Sequence, residues 1–298
     1  MALTDDVRAG AARVAARARR VRIVDGAIEP YAATLPAESP PAPDLEGAGF
    51  EQRAAFSLTL NAVNFGSGWF PTLRKAPGMS GFRTVEAGLR AHGPWTADAL
   101  AAMTPEEIAA AVGQDPGHKL IGHFASHLRE LGERVRDEEG GSFLALARSG
   151  GGSAVALAER LASWPTWRDV STYDGEPVPF FKRAQIAAAD LALAGIAPAD
   201  DLPALTLFAD NLVPHVLRID GVLEFDDGLV ARIEREELLE HDSPEEVEIR
   251  ACALHAVELL VSARGDTTAT ALDNVLWHRG GAPRYKSHPR HRARTTDY

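Results

Sequence analysis

The sequence has little cysteine, no long apolar run and no excess of positive charge. Cys252 is the one cysteine in 298 residues. That excludes an intramolecular disulfide, and a single thiol cannot build a thiolate metal centre. No stretch approaches the ~18 consecutive apolar residues a transmembrane helix needs. The opening MALTDDVRAGAARVAARARR lacks the apolar centre of a signal peptide. These absences predict a cytoplasmic protein with no membrane partner. The formal net charge is −11. Binding to polyphosphate rests on clustered Lys and Arg, so no stable nucleic-acid partner is expected. Also missing are a GxGxxG turn ahead of a helix, a Walker loop and an HExxH pair, which leaves nucleotide-cofactor and zinc-protease readings without support. The serines in ARSGGGSA lie among glycines but not in a GxSxG elbow.

What is present reads mostly as helix. Hydrophobic residues make up 45% and charged residues 24%, the profile of a globular domain. Apolar spacing near 3.6 predicts helices over 4–20, 50–65, 118–135, 180–195, 205–219, 227–240, 243–263 and 267–278. TPEE at Thr104 and SPEE at Ser243 each supply a capping hydroxyl, a first-turn proline and two acids. The run 140–164 reads as two short helices broken at glycines, and 33–47 as a proline-rich connector. Asp174-Gly175, between β-prone runs, predicts one short hairpin. The expected fold is mainly α, one compact helical domain over 1–298, with a division into lobes at 1–139 and 140–298 left open. His118, His123 and His127 share one helix. His123 and His127 are spaced as zinc ligands can be, but no acid stands between them, and a structural role is preferred.

Two features point toward chemistry. LPALTLFADNLVPHVL sets Asp210 inside an almost wholly apolar run, and FFKRAQIAAADLALAG sets Lys182 at the head of another. Charges in core-like segments are paired or used. The pair could be a buried helix–helix ion pair. Spacing alone favours that structural reading over a catalytic one, in which a fixed carboxylate stabilises the cation formed when a glycosidic bond breaks. A lysine would hold that carboxylate ionised or bind an anionic group. Six basic residues and no acid occupy 279–294. That patch suits a small anion, or else is a solvated tail.

Several long segments then occur in order: GGSFLALARSGGGSAVALAERLASWPTWRDV, VPFFKRAQIAAADL, LTLFADNLVPHVL and EEVEIRACALHAVELL. Together they resemble the queuosine salvage protein family, the queuosine 5′-phosphate N-glycosylases. The resemblance implies a helical fold similar to helix-hairpin-helix DNA glycosylases. It implies hydrolysis of the N-glycosidic bond of queuosine 5′-phosphate, a small-molecule nucleotide, with release of queuine for tRNA modification. It implies no metal and no organic cofactor. By motif it places the catalytic carboxylate on Asp210 and its lysine on Lys182. Glu246 matches a carboxylate that faces the base, and Val216 and Leu217 match the segment lining the base pocket. Phe208 and Trp69 are the aromatic candidates for substrate contact, with Phe70 as the alternative to Trp69. Three segments depart from the family pattern. NFGSGWF stands for NFCFW, Asn211-Leu212 for Tyr-Arg, and LWHR for LWDY, so that His278 replaces an acid that reads the base. These departures leave open a different modified nucleotide or nucleoside as substrate, or a nucleotide-binding protein without catalysis.

Overall fold

A computed structural model describes residues 2–36 and 48–298, so most of the proline-rich connector lies outside the described residues. The chain opens with α1 (Leu3–Ala15), β1 (Val21–Ile23) and α2 (Asp25–Ala32). The first helix is shorter than its Ala/Arg pattern predicts because residues 21–23 pair antiparallel with residues 223–225. Five helices follow: α3 (Phe50–Ala62), α4 (Gly81–His92), α5 (Ala97–Ala101), α6 (Pro105–Val112) and α7 (Lys119–Glu139). The TPEE start of α6 forms a reciprocal cap. The Thr104 hydroxyl accepts from Glu107 N, and the Glu107 carboxylate accepts from Thr104 N. Helices α5 and α7 cross closely at Gly132, where a Cβ would stand 2.2 Å from Ala101 N.

The glycine runs do separate two short helices, α8 (Phe143–Arg148) and α9 (Ala154–Ala162), capped by Ser142 and Ser153. The predicted hairpin pairs β2 (Val170–Tyr173) with β3 (Glu176–Pro179). Its turn residues Asp174 and Gly175 have φ of 49° and 81°, as a tight hairpin turn requires. Then come α10 (Lys182–Leu193), α11 (Leu212–Ile219), β4 (Leu223–Phe225), α12 (Asp227–Glu234) and β5 (Leu238–Leu239). Last are α13 (Pro244–Arg264), α14 (Ala269–Arg279), α15 (Pro283–Lys286) and β6 (Arg292–Ala293), the latter parallel to β5.

Residues 205–219 depart from the expected single helix: only 212–219 are helical, and 205–210 are irregular. The reason is where the backbone donors go. Thr206 N donates to the Gln185 side chain and Phe208 N to Asp273. Asp210 Oδ1 accepts from Leu212 N and Val213 N, and so starts α11 instead of lying inside it.

The core surrounds α13. Twelve of its 21 residues are buried, and 246–254 are buried without a break, so that this stretch has no solvent face. It packs against α1, α2, α11, α14, β1 and β2. The mainly helical class holds. Two short pairings beyond the hairpin, β1–β4 and β5–β6, were not predicted, because strands of two or three residues carry no readable alternation. No helix among the described residues is long and apolar enough to cross a membrane.

Candidate active site

Lys182 is the first residue of α10, and the residue before it is strained. Phe181 sits at φ 49°, ψ 41°, a left-handed conformation costly for a bulky side chain. Asp169 holds this corner. Its carbonyl accepts from Phe180 N and Phe181 N, and its Oδ2 accepts from Lys182 N at 3.0 Å. The Lys182 side chain is 5% exposed, and its Nζ donates to Asn64 O at 2.9 Å, just beyond α3. Burial lowers the Lys182 ammonium to about 8, and Asp210 is the carboxylate that most offsets this. Arg183 is buried beside it, bonded to the carbonyls of Ala62 and Thr166.

Asp210 comes to the same place at the head of α11. Its Oδ1 takes two backbone N–H groups, at 2.8 and 3.1 Å, the arrangement a carboxylate anion uses. Among the described residues nothing donates to its Oδ2. A second carboxyl, Asp273 of α14, lies close by and buried, its Oδ1 accepting from Phe208 N at 3.2 Å. Burial, and then the charge of Asp210, push the Asp273 carboxyl well above the usual carboxylate range. One ammonium and two carboxyls, of which Asp273 is held well above the usual carboxylate range, therefore share a site between the ends of α3, α10 and α11 and the flank of α14.

Two guanidiniums complete the surroundings. Arg250 of α13 is fully buried and donates to both oxygens of Asp169, at 3.0 and 2.7 Å, and to Ala209 O at 3.0 Å. Arg290 is half-buried and lies in the field of Asp210, and no hydrogen bond to its guanidinium is made among the described residues. Its segment is tied to the site because Asn211 Nδ2 donates to His291 O at 3.2 Å. Ahead of it in the chain, Arg279 and Arg284 engage Asp220. Beyond it, Arg292 engages Glu236 and Arg294 faces solvent.

The predicted site residues do not all converge. Lys182, Asp210 and Phe208 do, the last through its backbone. Val216 and Leu217 have no accessible surface and belong to the core around α11. Glu246 is also fully buried. Its Oε2 accepts from Asp242 N and faces His241 Nδ1 at 3.7 Å, and its Oε1 is unbonded. Trp69 is buried with its ring 5.6 Å from that of His123. The Gly66–Gly68 stretch before it docks the chain's final segment: Gly66 N donates to Tyr298 O, and a Cβ on Gly68 would stand 2.1 Å from Ala293 O. His278 is exposed, and its Nδ1 is bonded to Asn274 O one turn back. It lies five residues from Asp273 on α14, about 140° around a helix axis, so the two face different ways.

The α7 histidines play structural parts. His118 caps the helix, its Nδ1 accepting from Leu120 N. His127 packs on Phe65, and burial lowers it to about 2. His241, Asp242 and Glu246 bring possible metal-ligand atoms within 4.8 Å of one another. His241 Nε2 already meets Asp297 at 3.1 Å, and Asp297 and Glu246 raise the imidazole to about 10. A proton there does what a cation would. Sequence reasoning missed Asp273, Asp169 and Arg250, and held Arg290 only as one of the six basic residues of 279–294. An acid in the apolar run ALDNVLW was the one available signal.

Comparison with known proteins gives consistent matches. A family model described as queuosine salvage protein matches residues 48–298. A Sphaerobacter thermophilus protein named queuosine 5′-phosphate N-glycosylase/hydrolase is 36% identical over 267 residues, 84% of this chain and 83% of the relative. Relatives of the same name are 32% identical in Dictyostelium discoideum, over 68% of this chain and 65% of theirs, and in Mus musculus, over 50% and 47%.

Proposed function

The chain belongs to the queuosine salvage protein family, and on that premise we propose that it hydrolyses the N-glycosidic bond of queuosine 5′-phosphate and releases queuine. The observation that carries this reading is the grouping of Lys182, Asp210 and Asp273 at one buried junction. Breaking the bond sends its electron pair to the departing base and leaves positive charge at the ribose carbon. Asp210 meets that charge with Oδ2, while two backbone N–H groups hold Oδ1. The 7-deazapurine leaves poorly as an anion, and Asp273, whose carboxyl burial pushes well above the usual range, is the group that supplies its proton. Water adds to the ribose carbon and gives up a proton, which restores Asp273. Lys182, held by the Asn64 carbonyl, offsets the carboxylate charge through the field between them. The exposed position of His278 weighs against a changed base preference from the LWHR sequence.

The test is queuine release from queuosine 5′-phosphate, followed by chromatography. Asp210→Asn keeps shape but cannot balance a cation, so the rate is expected to fall about 10²–10³-fold or more, with the melting temperature held. Wild-type turnover by this variant would reject the assignment.

A further inference from the structure

We propose that the buried Asp169–Arg250 pair is a positioning device for this reaction, fixing the Lys182 ammonium relative to the Asp210 carboxylate. The inference rests on the catalytic reading of those two residues. Its basis is connectivity. Asp169 Oδ2 holds the backbone N of Lys182 at 3.0 Å. Arg250 grips both Asp169 oxygens and, through Nε, the carbonyl of Ala209, the residue before Asp210. One guanidinium and one carboxylate thus form an unbroken path from the start of α10 to the turn that presents Asp210. The guanidinium is itself held between two rings, with the Phe180 centroid at 3.9 Å and that of Tyr298 at 4.6 Å from its carbon. Both charges are at least 99% buried. Stability alone is a poor reason for such a pair, because replacing a buried ion pair with well-packed neutral side chains is often neutral or stabilising. The strained Phe181 lies between the two anchor points of Asp169, so the pair also maintains a conformation the backbone would otherwise leave.

Two variants and one control test this. Arg250→Lys keeps the charge but cannot span two carboxylate oxygens and a carbonyl. The double variant Asp169→Asn with Arg250→Met removes both charges at similar volume. In each, kcat for queuine release is expected to fall about 100-fold, the size of effect that small misplacement of reacting groups produces, with KM within about threefold of wild type. In the double variant the loss of activity at high pH is expected to begin at lower pH, because the Asp169 charge helps keep Lys182 protonated. Folded variants with wild-type kcat and an unmoved pH profile would overturn the proposal. So would failure of both variants to fold, which would assign the pair to stability. The Asp210→Asn control separates the two levels. Activity in that variant sinks the catalytic reading, whereas an inactive control beside fully active Arg250 variants sinks the positioning role alone.

Discussion

At the scale of single residues, the sequence pointed to the site through charge placed where charge is expensive. Asp210 and Lys182 were legible because each stands in an apolar run, and the structure puts each at a helix start with its neighbours satisfied. The partners were less legible for physical reasons. Asn64 contributes its backbone carbonyl, which any residue could supply. Asp169 and Arg250 lie 81 positions apart in the chain, and nothing local announces their contact. Asp273 sits in a helix that reads as ordinary core. Its proposed role gives a sharp expectation. Asp273→Asn keeps an oxygen for Phe208 N but has no proton to give. Release of queuine should drop by about 10²–10⁴-fold, the usual worth of a positioned acid. Release of 4-nitrophenol from 4-nitrophenyl riboside 5′-phosphate, which leaves without a proton, should be nearly spared. Equal losses with both substrates would remove the proton donor from the mechanism.

At the scale of elements, α13 shows how one motif serves three contacts. Glu246 and Arg250 are four apart and share a side, whereas Glu248 points about 200° away from Glu246. Glu248 accepts from Arg20 N and Val21 N and from the Tyr173 hydroxyl, holding β1 and the hairpin. Arg250 turns to the site, and Glu246 to His241 and the 290–298 segment. The SPEE start of this helix was readable, and the unbroken burial of 246–254 was not, since three charges within five residues suggest a wet surface. The 279–294 segment was readable as basic, but the pairing of its members was not. Among them Arg290 lies in the field of Asp210. Arg290→Ala is therefore expected to raise KM for the 5′-phosphate substrate about tenfold or more, the scale of a lost charge-assisted hydrogen bond, and to change KM for the nucleoside little. Arg294→Ala, on the surface, should change neither. Equal effects of Arg290→Ala on nucleotide and nucleoside would detach the segment from phosphate recognition.

At the scale of the whole molecule, the helical class and the hairpin were legible from periodicity and turn chemistry. The long-range pairings were not, because they depend on which distant donors remain unmet. One such link has a pH signature. His241 joins the segment between β5 and α13 to Asp297, and Asp297 and Glu246 raise it to about 10. Its unfolded value is near 6.5. The link's stabilisation is then complete below about 6.5 and is lost as pH rises through about 10. In urea titrations, the stability difference between wild type and His241→Gln should be flat at low pH and shrink across that window. A difference that grows with pH would contradict the link. The β1–β4 pairing carries a consequence of another kind. Arg22 and Glu224 face each other across 202 residues, and α1 rests on α13. Individual helices form within about a microsecond, but closing a loop of that length is slow and gains nothing until its far contacts form. Refolding of this mainly helical chain should therefore run at the pace of its most distant contacts, with the amino-terminal stretch joining only after residues 223–264 are in place.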